Sequence, residues 1–233
     1  MPAEMAIIAA LRREIWPLVK TWKQRAGPGH IEIFEKDRSV AICGGVGAAA
    51  ARAAAELAFG MARPCVVISA GFAGALEPGL AAGDVFTPAV VIDARSGRKY
   101  PAGNGRGTLV SASAVSNTAA KRELATKFGA QAVDMEAAAV AEVAEAHGVA
   151  FAAVKGISDA AGFVLPPVAR FVDESGRFHT GRFVVRHLMR PWTWPNLARL
   201  AVNSGRASRE LCRTLLHLIE KQAREVPDAV SRT

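Results

Sequence analysis

The sequence predicts an α/β protein built on an open sheet, and three observations carry that expectation. Short apolar runs alternate with stretches of helical spacing from Met5 to Asp159. Acids fall where two of those runs end, in Ala132-Val-Asp-Met-Glu-Ala-Ala-Ala139 and in Lys155-Gly-Ile-Ser-Asp159. A chain of 233 residues that is 51% hydrophobic can form one such domain with a substantial core and is too apolar for disorder.

Met5 to Leu11 reads as a strand and turn leading into a helix, where Ile15, Leu18 and Val19 keep helical spacing. Gly27-Pro-Gly29 marks a turn, and the runs around Ile31–Ile33 and Val40–Cys43 read as a hairpin about Lys36-Asp37-Arg38. Gly44-Gly-Val-Gly47 opens an alanine-rich helix through Phe59, and its glycines would let backbone N–H groups approach an anion or a ribose. The dinucleotide fingerprint is absent, because neither the G-x-G-x-x-G spacing nor the later acid is there.

Cys65 to Ala70 reads as a buried strand running into a flexible loop, Gly71 to Gly79, and Val85 to Ile92 as one further strand. Ala94 to Gly107 reads as a mobile loop, Thr108 to Ser113 as a strand, and Thr118 to Phe128 as a helix. The two acid-bearing stretches each read as a strand, the first delivering its acids to a helix start. Beyond Asp159 the pattern turns basic: a helix over Phe178–Met189, a break at Pro191 and Pro195 around Trp192 and Trp194, and a long helix over Leu197–Glu220. The tail from Val226 to Thr233 should fray. No repeat or interdomain linker divides residues 1–233, which read as a single domain.

In an open sheet, ligands bind outside the carboxyl ends of the strands, so Asp134, Glu136 and Asp159 are the first candidates for a site. The competing reading of Asp134 is a cap for the helix that starts near Met135, where the helix dipole favours an acid anyway. A net charge of +8 favours an anionic partner, and arginines crowd the last quarter. Three cysteines at non-metal spacing and five scattered histidines indicate neither a disulfide framework nor a metal site. No stacking platform or reader motif for nucleic acid appears. The amino terminus lacks a secretory pattern and no run is long enough to span a bilayer, so the expectation is a cytoplasmic protein, either free or peripheral on the inner face of the membrane.

Taken in order, Ile-Ile-Ala-Ala-Leu-Arg-Arg-Glu14, Gly45-Val-Gly47, Ser69-Ala-Gly-Phe-Ala-Gly-Ala-Leu76, Gly83-Asp-Val85, Val133-Asp-Met-Glu136 and Ile157-Ser-Asp159 resemble the purine nucleoside phosphorylase and methylthioadenosine/S-adenosylhomocysteine nucleosidase superfamily. The resemblance implies a three-layer α/β/α fold around a central mixed sheet, and a homodimer. It also implies roles. Asp159 would act as general acid toward adenine N7, its pKa raised in the site, with Ser158 orienting it. Glu136 would hold the ribose hydroxyls with Met135 against the sugar, and Asp134 and Gly71 would complete the substrate contacts. Glu14 matches the acid that activates water in nucleosidases.

Phosphorolysis would need a cationic cradle instead, for which Arg12, Arg13 and the loop at Gly45 are candidates; ordinary solvated charge at a helix start is the competing reading of the arginines. Two positions depart from the superfamily pattern. Phe72 replaces a serine that contacts the nucleophile, and Val115 replaces an aromatic that stacks on the base.

Gly176-Arg-Phe-His-Thr-Gly-Arg-Phe and Arg190-Pro-Trp-Thr-Trp-Pro look like the hopanoid-associated branch, whose members are thought to remove adenine from adenosylhopane. Residues 162–193 then read as a basic amphipathic helical insert near the pocket for the 5′ substituent. Its aromatics and arginines suit an anionic membrane contact through residues 177–213; cover for the core or for a dimer interface is the competing reading. The preferred expectation is phosphorolysis of a lipid-linked adenine nucleoside, with inorganic phosphate as co-substrate and no cofactor. The rivals are a hydrolytic methylthioadenosine/S-adenosylhomocysteine nucleosidase and a nucleoside-binding protein without turnover.

Overall fold

The computed structural model describes residues 4–114, 118–163, 173, 176–177 and 194–225. Among these, eleven strands form one mixed sheet with helices on both faces. The strands are β1 (Met5–Ala9), β2 (Lys23–Ala26), β3 (Glu32–Lys36), β4 (Ser39–Cys43), β5 (Val66–Ala75), β6 (Val85–Phe86), β7 (Val90–Asp93), β8 (Lys99–Pro101), β9 (Thr108–Ser111), β10 (Ala132–Asp134) and β11 (Ala150–Asp159). The helices are α1 (Arg12–Val19), α2 (Ala48–Ala62), α3 (Thr118–Phe128), α4 (Ala137–Ala146) and α5 (Trp194–Glu225).

All five residues of β1 are buried, because side chains alternate across the sheet and both faces are covered. Met5, Ile7 and Ala9 pack with Ile15, Leu18 and Val19 of α1 and with Leu211 and Leu215 of α5. Ala6 and Ile8 point the other way, into the alanines of α2 and the Val140, Val143 face of α4. The result is the three-layer α/β/α arrangement. Alanines at Ala51, Ala54, Ala55 and Ala58 let α2 lie close to the sheet and to α4.

Strand β5 organises the sheet. Met5 to Ile8 pair parallel with Val66 to Ser69, whereas Gly74 and Ala75 pair antiparallel with Val133 and Ala132, and β11 runs parallel along β5 from Val66 to Gly74. The neighbour on one side thus changes from β1 to β10 at Ala70–Ala73, and such switch points are where open sheets leave a crevice.

Several elements differ from the sequence reading. Gly71 to Ala75 continue β5 rather than forming a loop, because β10 and β11 supply backbone partners that composition does not reveal. The strand expected from Val85 to Ile92 is two strands separated at Thr87–Ala89, around Pro88, which has no N–H for a ladder. The loop expected from Ala94 to Gly107 contains β8, which pairs antiparallel with β7. Strand β2 is exposed at all four positions and gave no apolar pattern. The helix expected over Phe178–Met189, Pro191 and Trp192, Val115 and the 226–233 tail lie outside the described residues, whereas Trp194 and Pro195, expected in a break before Leu197, form the first turn of α5, where a proline is tolerated. No helix among the described residues is long and apolar enough to cross a membrane.

Candidate active site

The crevice at the β5 switch is a cavity of about 190 Å³. Its wall brings together Glu14 from α1, Asp134, Met135 and Glu136 from the β10–α4 junction, and Ser158 and Asp159 from the end of β11. Arg13, Val46, Phe72, Gly74 and Lys121 line it too, with Leu200 and Ser204 of α5.

Glu14 sits in the first turn of α1 and folds back over the turn that precedes it. Its Oε2 accepts the N–H groups of Ala10 at 3.2 Å and Leu11 at 3.1 Å. Burial pushes its carboxyl above the usual carboxylate range, against the pull of the Leu11 N–H, Arg13 and Lys155. Gly71 makes room for it: a Cβ there would stand 2.9 Å from Glu14 Oε2, and the backbone at φ +142° is one that side-chain-bearing residues rarely adopt. From below, the Ser208 hydroxyl of α5 donates to the Glu14 carbonyl at 2.9 Å.

Glu136 precedes α4 and faces the glycine loop. Its Oε1 accepts the Gly47 N–H at 2.7 Å, and its Oε2 accepts the Met135 N–H at 3.2 Å. Burial first, then the neighbouring Asp134, pushes its pKa up to about 7. Asp134 has a different occupation. Ser111 donates to its Oδ1 at 2.5 Å, and the Ala137 N–H at the start of α4 donates to its Oδ2 at 2.9 Å. Lys155 Nζ completes the set at 2.9 Å from Oδ2. Asp134 therefore serves the helix start and the buried lysine, although it also reaches the cavity wall.

Asp159 is brought to the cavity by an irregularity in β11: Ile157 pairs with Ala73 but Asp159, not Ser158, pairs with Gly74. A bulge of this kind re-aims side chains beside a site. The Ser158 hydroxyl lies 2.6 Å from Asp159 Oδ1, and Lys121 Nζ lies 2.5 Å from Oδ2. Both members of that ion pair are buried.

The sequence reading missed Lys121 and gave Lys155 no role. Lys121 carried a signal: it stands three, four and seven residues before Leu124, Ala125 and Phe128, which pack on the core, so it lies on the apolar stripe of α3. Lys155 is at a strand position between buried neighbours, and it donates to Ser69 Oγ at 2.9 Å as well as pairing with Asp134.

The proposed phosphate contacts are placed unequally. Arg13 lines the cavity, whereas Arg12 turns outward to Glu32 at 3.0 Å and over the Trp16 ring. Consecutive helical residues point about 100° apart, so the two arginines cannot share one direction. The glycine loop is not an open anion cradle. Its N–H groups at Gly44, Gly45, Val46 and Gly47 donate in turn to Ala9 O, Ala10 O, Gly176 O and Glu136 Oε1, at 3.1, 3.0, 2.8 and 2.7 Å. Phe72 borders the cavity, and Val115 lies outside the described residues.

The phosphorylase superfamily model matches residues 1–111 and 105–176. The chain belongs to the phosphorylase superfamily. Solved structures of similar fold include 5′-methylthioadenosine nucleosidase from Arabidopsis thaliana, at 18% identity and TM-score 0.68 over 94% of this chain and 97% of that one. A methylthioadenosine/S-adenosylhomocysteine nucleosidase from Colwellia psychrerythraea in complex with adenine is 19% identical at TM-score 0.60, covering 70% and 84% of the two chains. Futalosine hydrolase of Helicobacter pylori is 20% identical at TM-score 0.59, covering 68% and 88%. None of the curated proteins compared matches the sequence. At these identities the likeness establishes the superfamily fold, and the chemistry rests on the residues of the cavity.

Proposed function

We propose that this protein cleaves the N-glycosidic bond of an adenine nucleoside. The observation that carries the reading is the convergence of Glu14, Glu136 and Asp159 on one cavity of the superfamily fold. Breaking the C1′–N9 bond sends its electron pair into the purine and leaves positive charge on the ribosyl carbon. A proton delivered at N7 through Asp159 lets the base leave neutral, and Glu136 is placed to accept hydrogen bonds from ribose hydroxyls.

Water is the nucleophile that the cavity favours. Glu14, whose carboxyl burial raises above the usual carboxylate range, is a stronger base than an exposed carboxylate for taking a proton from water. Four carboxylates border the cavity, Lys121 and Lys155 are engaged with two of them, and the amides of the glycine loop already have acceptors. A phosphate dianion would meet repulsion there. Arg13 in the wall is the observation that supports the second reading, phosphorolysis with inorganic phosphate as co-substrate.

For the 5′ substituent, Leu200 and Ser204 put α5 in the cavity wall, while Arg199, Val202, Arg206, Arg209 and Arg213 are exposed along its outer side. That supports a lipid-linked nucleoside of the adenosylhopane type, reached by a peripheral contact with anionic membrane. A homodimer is part of the same reading.

The deciding experiment incubates the protein with adenosine, 5′-methylthioadenosine and a lipid-linked adenosine, with and without phosphate, and measures adenine and the sugar product. Adenine with the unphosphorylated sugar, still carrying its 5′ substituent and formed independently of phosphate, supports hydrolysis; a sugar 1-phosphate formed only with phosphate supports phosphorolysis. No adenine from any substrate overturns the reading and favours a binding protein. Absence of flotation with anionic vesicles would remove the membrane contact.

A further inference from the structure

Asp159 poses a chemical problem in its own wall. The reaction proposed above needs a proton to pass through this carboxylate, yet Lys121 donates to it at 2.5 Å. The carboxylate that would pass a proton to the purine is thus already the acceptor of a buried amino group. Lys121 is 2% exposed and Asp159 1%, so no bulk water moderates the pair. A buried ion pair is poor evidence for stability, because apolar residues of similar volume often serve as well. Its position in the cavity wall, with one end on the acid that faces the purine, calls for a chemical use.

Three further features show that the contact is built. Lys121 also donates to the Ala160 carbonyl at 3.0 Å, which fixes the ammonium from a second side. Gly74 leaves the room: a Cβ there would stand 3.0 Å from Asp159 Oδ2 and 3.4 Å from Lys121 Cε and Nζ. Ser158 holds the other carboxylate oxygen, so the acid is gripped at both ends.

We infer that Lys121 is a positioning residue that holds Asp159 and supplies the proton Asp159 passes to the leaving purine. This inference rests on the nucleoside-cleaving reading. As the C1′–N9 bond breaks, its electron pair enters the purine ring and N7 takes a proton from Asp159. Asp159 takes one in turn from Lys121 Nζ, which is left a neutral amine. Water attacking C1′ gives a proton to Glu14, and exchange with solvent returns Glu14 to the carboxylate and Lys121 to the ammonium, so charge balances over one turnover.

The inference separates Lys121 from a residue that merely packs, because it matters only when the leaving group needs a proton. The experiment compares 5′-methylthioadenosine with p-nitrophenyl β-D-riboside, whose nitrophenolate leaves without protonation at nitrogen. Lys121→Met is expected to lower kcat on the nucleoside about 100-fold or more with KM within about threefold, as for loss of a general acid, and to lower it far less on the nitrophenyl riboside. Lys121→Arg, which keeps charge and donors, should recover much of the loss. Asp159→Asn should show the same leaving-group pattern, and the double variant should fall no further than the single ones.

Equal losses of Lys121→Met on both substrates, or a wild-type kcat on the nucleoside, overturn the inference. Should Lys121→Met fold poorly because Asp159 is left unpaired, Lys121→Gln, whose amide can still donate to Asp159 but has no proton to pass on, takes its place in the comparison with Lys121→Arg. If wild type releases no base at all, the nucleoside-cleaving reading falls and takes this inference with it. If wild type and Asp159→Asn differ but Lys121→Met matches wild type, only the inference falls.

Discussion

Lys155 Nζ lies 2.9 Å from Asp134 Oδ2, with both side chains at most 1% exposed, directly behind the wall of the cavity. One lysine thus faces a cluster in which it also lowers the pKa of Glu14 and of Glu136 through space. Removing one member of a buried pair leaves an uncompensated charge, so Lys155→Met is expected to destabilise the fold by about 3–5 kcal/mol. Urea unfolding measures this, and Lys155→Met with Asp134→Asn should regain most of it. A single variant within about 1 kcal/mol of wild type would show that the pair is not structural.

Stability should depend on pH through Glu136. Its folded pKa of about 7 lies above its ordinary value of 4.5, so the folded state holds this proton more tightly than the unfolded state. The stability it contributes is complete below about 4.5 and is lost as pH rises through about 7. Thermal midpoints recorded from pH 5 to pH 8 should therefore fall more steeply for wild type than for Glu136→Gln, and parallel curves would contradict this.

Gly71→Ala should impair turnover and stability together. The added methyl would come within 2.9 Å of Glu14 Oε2 at a backbone angle that L-residues disfavour. A loss of about 1–3 kcal/mol is expected from the strained conformation, with a fall in kcat as Glu14 is displaced. Normal kcat with the stability loss would place Glu14 outside the reaction.

Glu14→Gln tests the nucleophile's partner. The amide keeps the shape but cannot take a proton from water, so base release in phosphate-free buffer should fall about 100-fold or more while the melting temperature holds or rises. A rise is reasonable because burial disfavours the charged form at this position. Undiminished release would assign water activation elsewhere.

Much of this fold was legible because its signals are local. Strand β1 announces itself by an unbroken apolar run, α2 by its alanines, and the β3–β4 hairpin by the turn at Asp37, which adopts φ 51°. Strand β2 and strand β8 are read only from their partners, since neither carries an apolar pattern. The acids were visible at the ends of strands, but the bulge that turns Asp159 toward the cavity depends on register with β5. Arg12 and Arg13 looked equivalent until the helix separated their directions. Lys121 was the most informative misfit: a charge on an apolar stripe has a partner in the fold, and only the fold names it.

The hydroxyl of Ser208 grips the carbonyl of Glu14, and Leu200 and Ser204 close the same cavity. The first acid of the site is therefore braced by a helix that lies nearly two hundred residues later in the chain. During synthesis the amino-terminal strands can pair long before that helix leaves the ribosome, so Glu14 reaches its place before the residues that brace its carbonyl and complete the cavity wall exist.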